Sequence, residues 1–92
     1  MKFEYDMNKS LSNKEKHEID FEEAQLLWED SELVEIDVVT ENEQRFLSIG
    51  MIHDKFWTAV TTIRNDNIRI ISVRRSRKNE EALYEKNIFR KI

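Results

Sequence analysis

No cysteine occurs among the 92 residues, and this removes a disulfide framework, a thiolate metal site and a cysteine nucleophile together. Proline is absent as well, and glycine occurs once. No linker or internal repeat interrupts the chain, and its length suits one compact domain with one modest core. Long apolar runs are missing too. Nothing approaches the roughly 20 residues needed to cross a bilayer, and Met1-Lys2-Phe3-Glu4-Tyr5-Asp6 lacks the apolar stretch of a signal peptide, so a cytoplasmic protein without a membrane partner is expected. The two histidines, His17 and His53, stand far apart and neither belongs to a spaced set of ligands. No metal and no other cofactor is therefore expected.

What is present is charge. Charged residues make up 37% of the chain and apolar residues 39%, which is polar for a globular domain but leaves enough aromatic and β-branched residues for a core. The formal net charge of -4 speaks against a nucleic-acid partner, because phosphate binding is driven by Lys and Arg. The average conceals an asymmetry. Residues 1–43 hold four Lys and fourteen acids, a net of -10, whereas residues 44–92 hold eleven Lys and Arg and five acids, a net of +6.

Segment by segment, residues Asn8 to Lys16 are helix-compatible, with Leu11 as the only apolar anchor. Asp20 with Glu23 three residues later forms a capping-box pattern ahead of Phe21, Ala24, Leu27 and Trp28, which predicts a helix over 21–28. β-Branched and aromatic runs at 33–39, 45–52, 56–63 and 68–73 predict four strands. The short connectors His53-Asp54 and Asn65-Asp66 suit two-residue hairpin turns, although both lack glycine. A last helix is expected over 77–87, with Ile88 and Phe89 as a tail that docks or swaps. The expectation is an α+β domain: two N-terminal helices, a four-stranded antiparallel sheet and a C-terminal helix.

Two-residue turns fix the register. Ile52 then faces Lys55 and Arg64 faces Asn67, so counting puts Arg45 opposite Thr62, Thr62 opposite Arg69, and Glu43 opposite Arg64. With side chains alternating every two residues, Glu43, Arg45, Thr62, Arg64 and Arg69 emerge on one sheet face. Three guanidinium groups in one patch repel one another unless an anion binds, and Arg matches a phosphodiester through its fixed fork of donors. The plainer alternative pairs Glu43 with Arg64 and leaves Arg45 and Arg69 as solvated strand charges. A second basic cluster, Arg74, Arg75, Arg77 and Lys78, opens the last helix, where the macrodipole disfavours cations. His17, beside Lys16, carries a side chain of the type suited to general acid or base chemistry near neutral pH. His53 sits in a predicted turn.

These segments in order resemble the BrnT toxin family. Phe3-Glu4-Tyr5-Asp6, followed by Asn13, Lys16-His17, Ile19 and Phe21, is similar to the opening F-E-W-D and the N-x-x-K-H-G-V-x-F pattern of that family, with Glu18 in place of the usual glycine. Arg45 with Ile49-Gly50 resembles R-x-x-x-I-G, and Thr62-Ile63-Arg64 resembles T-x-R. The stretch from Ile68 to Ser76, then Glu80 and Tyr84-Glu85, resembles R-I-I-S-A-R-x-A followed by E-x-x-x-Y-E. The resemblance implies a RelE-like fold, RNA cleavage that arrests growth, and neutralisation by a BrnA-type ribbon-helix-helix antitoxin, with a homodimer or a 2:2 complex as the assembly.

The expected chemistry is a metal-independent attack of the RNA 2′-hydroxyl on its own phosphate. His17 or Glu43 is expected as general base, with Lys16, Arg64, Arg69 and Arg74 holding the phosphate. Tyr84 is expected to stack on a base or contribute a proton. Arg45, Arg75, Arg77 and Lys78 are expected to contact RNA. Two rival readings are an inactive scaffold that binds RNA without cutting it, and a structural partner whose basic face receives an acidic antitoxin segment.

Overall fold

The computed structural model describes residues 2–90, the side chains of Phe89 and Arg90 excepted. In chain order the elements are strand β1 (Phe3–Glu4), helix α1 (Met7–His17), a 3-10 segment (Glu23–Glu29), strands β2 (Val34–Val39), β3 (Gln44–Ile52), β4 (Lys55–Arg64) and β5 (Asn67–Arg75), and helix α2 (Lys78–Arg90). The sheet order is β1-β5-β4-β3-β2, with β1 parallel to β5 and the other neighbours antiparallel. This corrects the expected architecture. The sheet has five strands and is mixed, and only one α-helix precedes it.

Both differences have local causes. Phe21, Ala24 and Leu27 recur every three residues and all are fully buried. In a 3-10 turn, residues three apart eclipse one another, so tighter winding brings Ala24 and Leu27 onto one line where an α-helix would spread them, and Phe21 joins them from the turn before the segment. Glu22 is the N-cap of the segment, and the Asp20 carboxylate accepts from the backbone N–H of its first residue, Glu23, at 2.8 Å. The extra strand is only Phe3–Glu4, pairing with Ile68 and Arg69, and two residues carry no readable alternation.

Helix α1 begins at Asp6, whose carboxylate accepts from the backbone N–H of Asn8 at 2.8 Å and of Lys9 at 3.3 Å. Leu11 does not anchor it and is 61% exposed. The buried residues of α1 are Ser10 and Asn13. The Asn13 side-chain amide donates to the carbonyls of Val73 (2.9 Å) and Ile19 (2.8 Å), and its oxygen accepts from Val73 N–H (3.1 Å). Asn13 thus satisfies the backbone of β5 beyond the end of β1, and α1 covers an edge that would otherwise be open.

The two hairpins turn as expected. His53 and Asp54 have φ of 48° and 67°, and Asn65 and Asp66 have 52° and 65°, the pair of positive values that a type I′ turn requires. Ile52 pairs with Lys55 and Arg64 with Asn67. One irregularity follows. Val60 pairs with Ser72 but Thr61 with Ile70, leaving Ile71 as the extra residue of a bulge. Past the bulge, each β5 side chain changes face: Val73 turns into the core beside Ala59, Arg75 comes opposite Trp57, and Arg74 comes opposite Thr58.

The core lies on one face, where Ile52, Trp57, Ala59, Ile70 and Val73 meet Ile19, Phe21, Ala24 and Leu27. A Cβ on Gly50 would stand 3.0 Å from the side chains of both Leu27 and Leu33, so the chain's one glycine allows the 3-10 segment to approach β3. The other face is closed at one end by α2, through Glu80. α2 continues through Ile88 and Phe89; the side chain of Phe89, expected to dock or swap, lies outside the described residues.

Candidate active site

At the other end of that face, away from α2, a groove is lined by Lys9, Glu43, Arg45, Arg64 and Arg69 with Thr62. The side chains that register counting gathers do meet here. Thr62 is paired with Arg69, and its hydroxyl donates to the carbonyl of Gln44 at 2.8 Å, tying the start of β3 to β4. Glu43 precedes β3, and its carboxylate accepts from Arg45 Nε at 2.9 Å, not from Arg64. Arg69 lies 3.6 Å from Glu4 on β1. Arg64 is exposed and has no ion pair among the described residues. Of the four cations lining the groove, Arg45 and Arg69 are paired with Glu43 and Glu4, and Lys9 and Arg64 have no ion pair among the described residues.

An adjoining cavity shares Lys9 and Ile71 with this groove and adds Ser12, Asn13, Lys16 and His17. It contains no acidic side chain. Helix α1 explains its position: Lys9, Asn13 and Lys16 fall at i, i+4 and i+7, so the turn that seats Asn13 on β5 also aims both lysines along the sheet edge. His17 ends the helix, and Glu18 follows with φ of 65° in the left-handed region.

Residues 5–80 match the family model described as "Ribonuclease toxin, BrnT, of type II toxin-antitoxin system". The chain belongs to the BrnT family. No curated protein matches it at a significant level. Membership of BrnT makes it a relative of ribonuclease toxins from type II toxin-antitoxin systems, whose substrate is RNA and whose inhibitor is an antitoxin.

Two residues of the expected BrnT catalytic set are engaged elsewhere. Arg74 donates to both oxygens of Glu80, at 2.7 and 2.8 Å. Glu80 is buried and also accepts from the Arg77 backbone N–H (2.8 Å) and the Thr58 hydroxyl (3.0 Å). Hydrogen bonding from Arg74 above all, helped by Arg77 and Thr58, holds the Glu80 carboxyl down from 4.5 to about 2, and Glu80 in turn raises Arg74. Tyr84 is buried and donates its hydroxyl to Asp30 at 2.8 Å. Burial, then that bond, pushes its phenol up to about 12. Asp30 also accepts from Met51 N–H at 2.9 Å, so Tyr84 clamps α2 to the end of the sheet. It lines neither cationic cavity.

The second basic cluster divides accordingly. Arg74 is paired with Glu80, while Arg75 lies over the Trp57 ring at 5.5 Å and donates to the Phe56 carbonyl at 3.2 Å. Arg77 and Lys78 are exposed. Lys9 is the residue that the sequence reading missed; its signal was the helical spacing with Asn13 and Lys16. Among the described residues no three His, Asp or Glu side chains gather as a metal site.

Proposed function

We propose that the chain is a metal-independent endoribonuclease whose reaction takes place along the two adjoining cationic cavities. His17 or Glu43 removes the proton of a ribose 2′-hydroxyl, and the 2′ oxygen bonds to the neighbouring phosphorus. The bond to the 5′ oxygen then breaks, and the departing oxygen takes up a proton. The products are a 2′,3′-cyclic phosphate and a 5′-hydroxyl end. Arg64 and Arg69 carry the charge that accumulates on the phosphoryl oxygens, with Arg45, Lys9 and Lys16 holding the flanking phosphates.

The observation that carries this reading is the excess of Lys and Arg over acids in one groove, on a chain that is acidic overall. Such a concentration of like charge is unfavourable without a polyanion. Arg64 and Lys9 are the sharpest cases, since neither has a carboxylate partner among the described residues. Arg74 and Tyr84 are assigned to holding α2 in place. The partner is a BrnA-type ribbon-helix-helix antitoxin that neutralises the enzyme in the cytoplasm.

The test is cleavage of RNA by purified protein. Arg64→Ala is expected to lower the rate roughly a hundredfold, the cost of one lost contact to developing charge. Cleavage by Arg64→Ala at the parent rate would refute the assignment.

A further inference from the structure

On the core side of the sheet, Trp57 and Arg75 are directly paired across β4 and β5, with the guanidinium stacked over the indole. They line a third cavity together with His17, Glu18, Glu23 and Lys55. Its charge differs in kind from that of the phosphate groove. Two carboxylates stand against two cations, with His53 at the rim and the Arg75 guanidinium lying over the buried Trp57 ring. A phosphate gains nothing from a balanced set, whereas a flat neutral group carrying both donors and acceptors can satisfy all of it. His17 lines this cavity and the cationic one across the β5 edge, which in turn adjoins the groove of Arg64 and Arg69, so an RNA strand can lay its phosphates on one side and a base on the other.

We propose that this cavity receives a guanine base of the RNA whose phosphodiester lies in the cationic groove; the proposal rests on the ribonuclease reading above. Guanine alone among the four bases presents two adjacent donors, N1–H and the N2 amine, on its Watson–Crick edge, and a carboxylate accepts both. Its O6 and N7 are acceptors for Lys55. The guanidinium of Arg75, backed by the buried Trp57 ring 5.5 Å beneath it, is the surface on which the base stacks. Glu18 is the chief reader. Its backbone holds φ at 65°, a conformation in which glycine is at ease and a side chain is strained. The Glu18 carboxylate has no hydrogen bond or ion pair among the described residues, so no internal contact explains it. Glu23 is only loosely held, 3.6 Å from Lys14.

The experiment titrates guanosine 3′-monophosphate and cytidine 3′-monophosphate into the full chain by calorimetry and maps cleavage ends on an RNA of mixed sequence. The guanosine nucleotide is expected to bind at least tenfold more tightly, and cuts are expected to cluster at guanines. Glu18→Gln combined with Glu23→Gln is expected to bring the affinity ratio to near one and to scatter the cuts. Glu18→Gly relaxes the backbone, keeps the fold and is expected to reduce the same ratio. Equal affinities in the parent, or a ratio that survives both variants, overturn the proposal. Arg64→Ala is expected to weaken both nucleotides alike with the ratio intact. An absence of cleavage by the parent would overturn the ribonuclease reading instead, and the nucleotide ratio would still decide the base site.

Discussion

Arg74 and Arg64 are identical residues on neighbouring strands with opposite situations. Arg74 is locked onto a buried carboxylate, and Arg64 faces water within a cationic groove. Residue type did not separate them; partners did. Tyr84 shows the same point. A buried phenol near 12 that already donates to Asp30 keeps its proton at neutral pH. Tyr84→Phe is therefore expected to leave RNA cleavage near the parent rate while lowering stability by about 1 kcal/mol, the net worth of one hydrogen bond. Urea unfolding and a cleavage assay on the same preparation measure both. Cleavage lost with stability intact would return Tyr84 to the catalytic set.

Among the elements, α1 forms where expected but is held by polar contacts and not by Leu11. Asn13→Ala removes three hydrogen bonds and strands the backbone groups of Val73, so a loss of about 3 kcal/mol is expected. Leu11→Ala, at an exposed site, is expected to shift stability by less than about 0.5 kcal/mol. Thermal melts of the two variants check the contrast. The four main strands, both hairpin turns and the register from Arg64 to Arg69 were legible, because turn length fixes pairing by counting alone. The bulge at Ile71 was not, since counting from the turn assumes unbroken alternation. Its trace lies in Ile70-Ile71-Ser72-Val73, where the apolar period slips by one. Because of that slip Arg75 joins Trp57 and Arg74 joins Glu80. The groove itself was legible for Arg45, Arg64 and Arg69, which precede the bulge, whereas Lys9 reaches it from α1, whose placement on the sheet strand counting does not give.

For the whole molecule, acid stability depends on Glu80, which joins β4, β5 and α2. Its folded value lies below the usual 4.5, so its contribution is complete above that pH and is lost as pH falls from about 4.5 towards about 2. The shift corresponds to about 3 kcal/mol. The parent is expected to lose that stability on acidification, and Glu80→Gln is expected to start lower and to vary less with pH over the same window; urea unfolding at stepped pH reads the difference. An equal slope in both proteins would remove Glu80 from this role. The overall charge of -4 also sits in a pattern: the acids gather in residues 1–43, and the cations converge on the groove and its neighbour. RNA affinity is therefore governed by a local surface and not by the net charge.

Guanidinium groups, with no metal ion, are proposed to support cleavage at a ribose-linked phosphate. The most direct measurement is incubation of purified protein with RNA in EDTA, followed by end-group analysis of the fragments for parent and Arg64→Ala. Expected are 2′,3′-cyclic phosphate and 5′-hydroxyl ends from the parent, and a rate roughly a hundredfold lower from Arg64→Ala. Cleavage that EDTA abolishes and a divalent cation restores, or fragments bearing 5′-phosphates, would contradict that proposal.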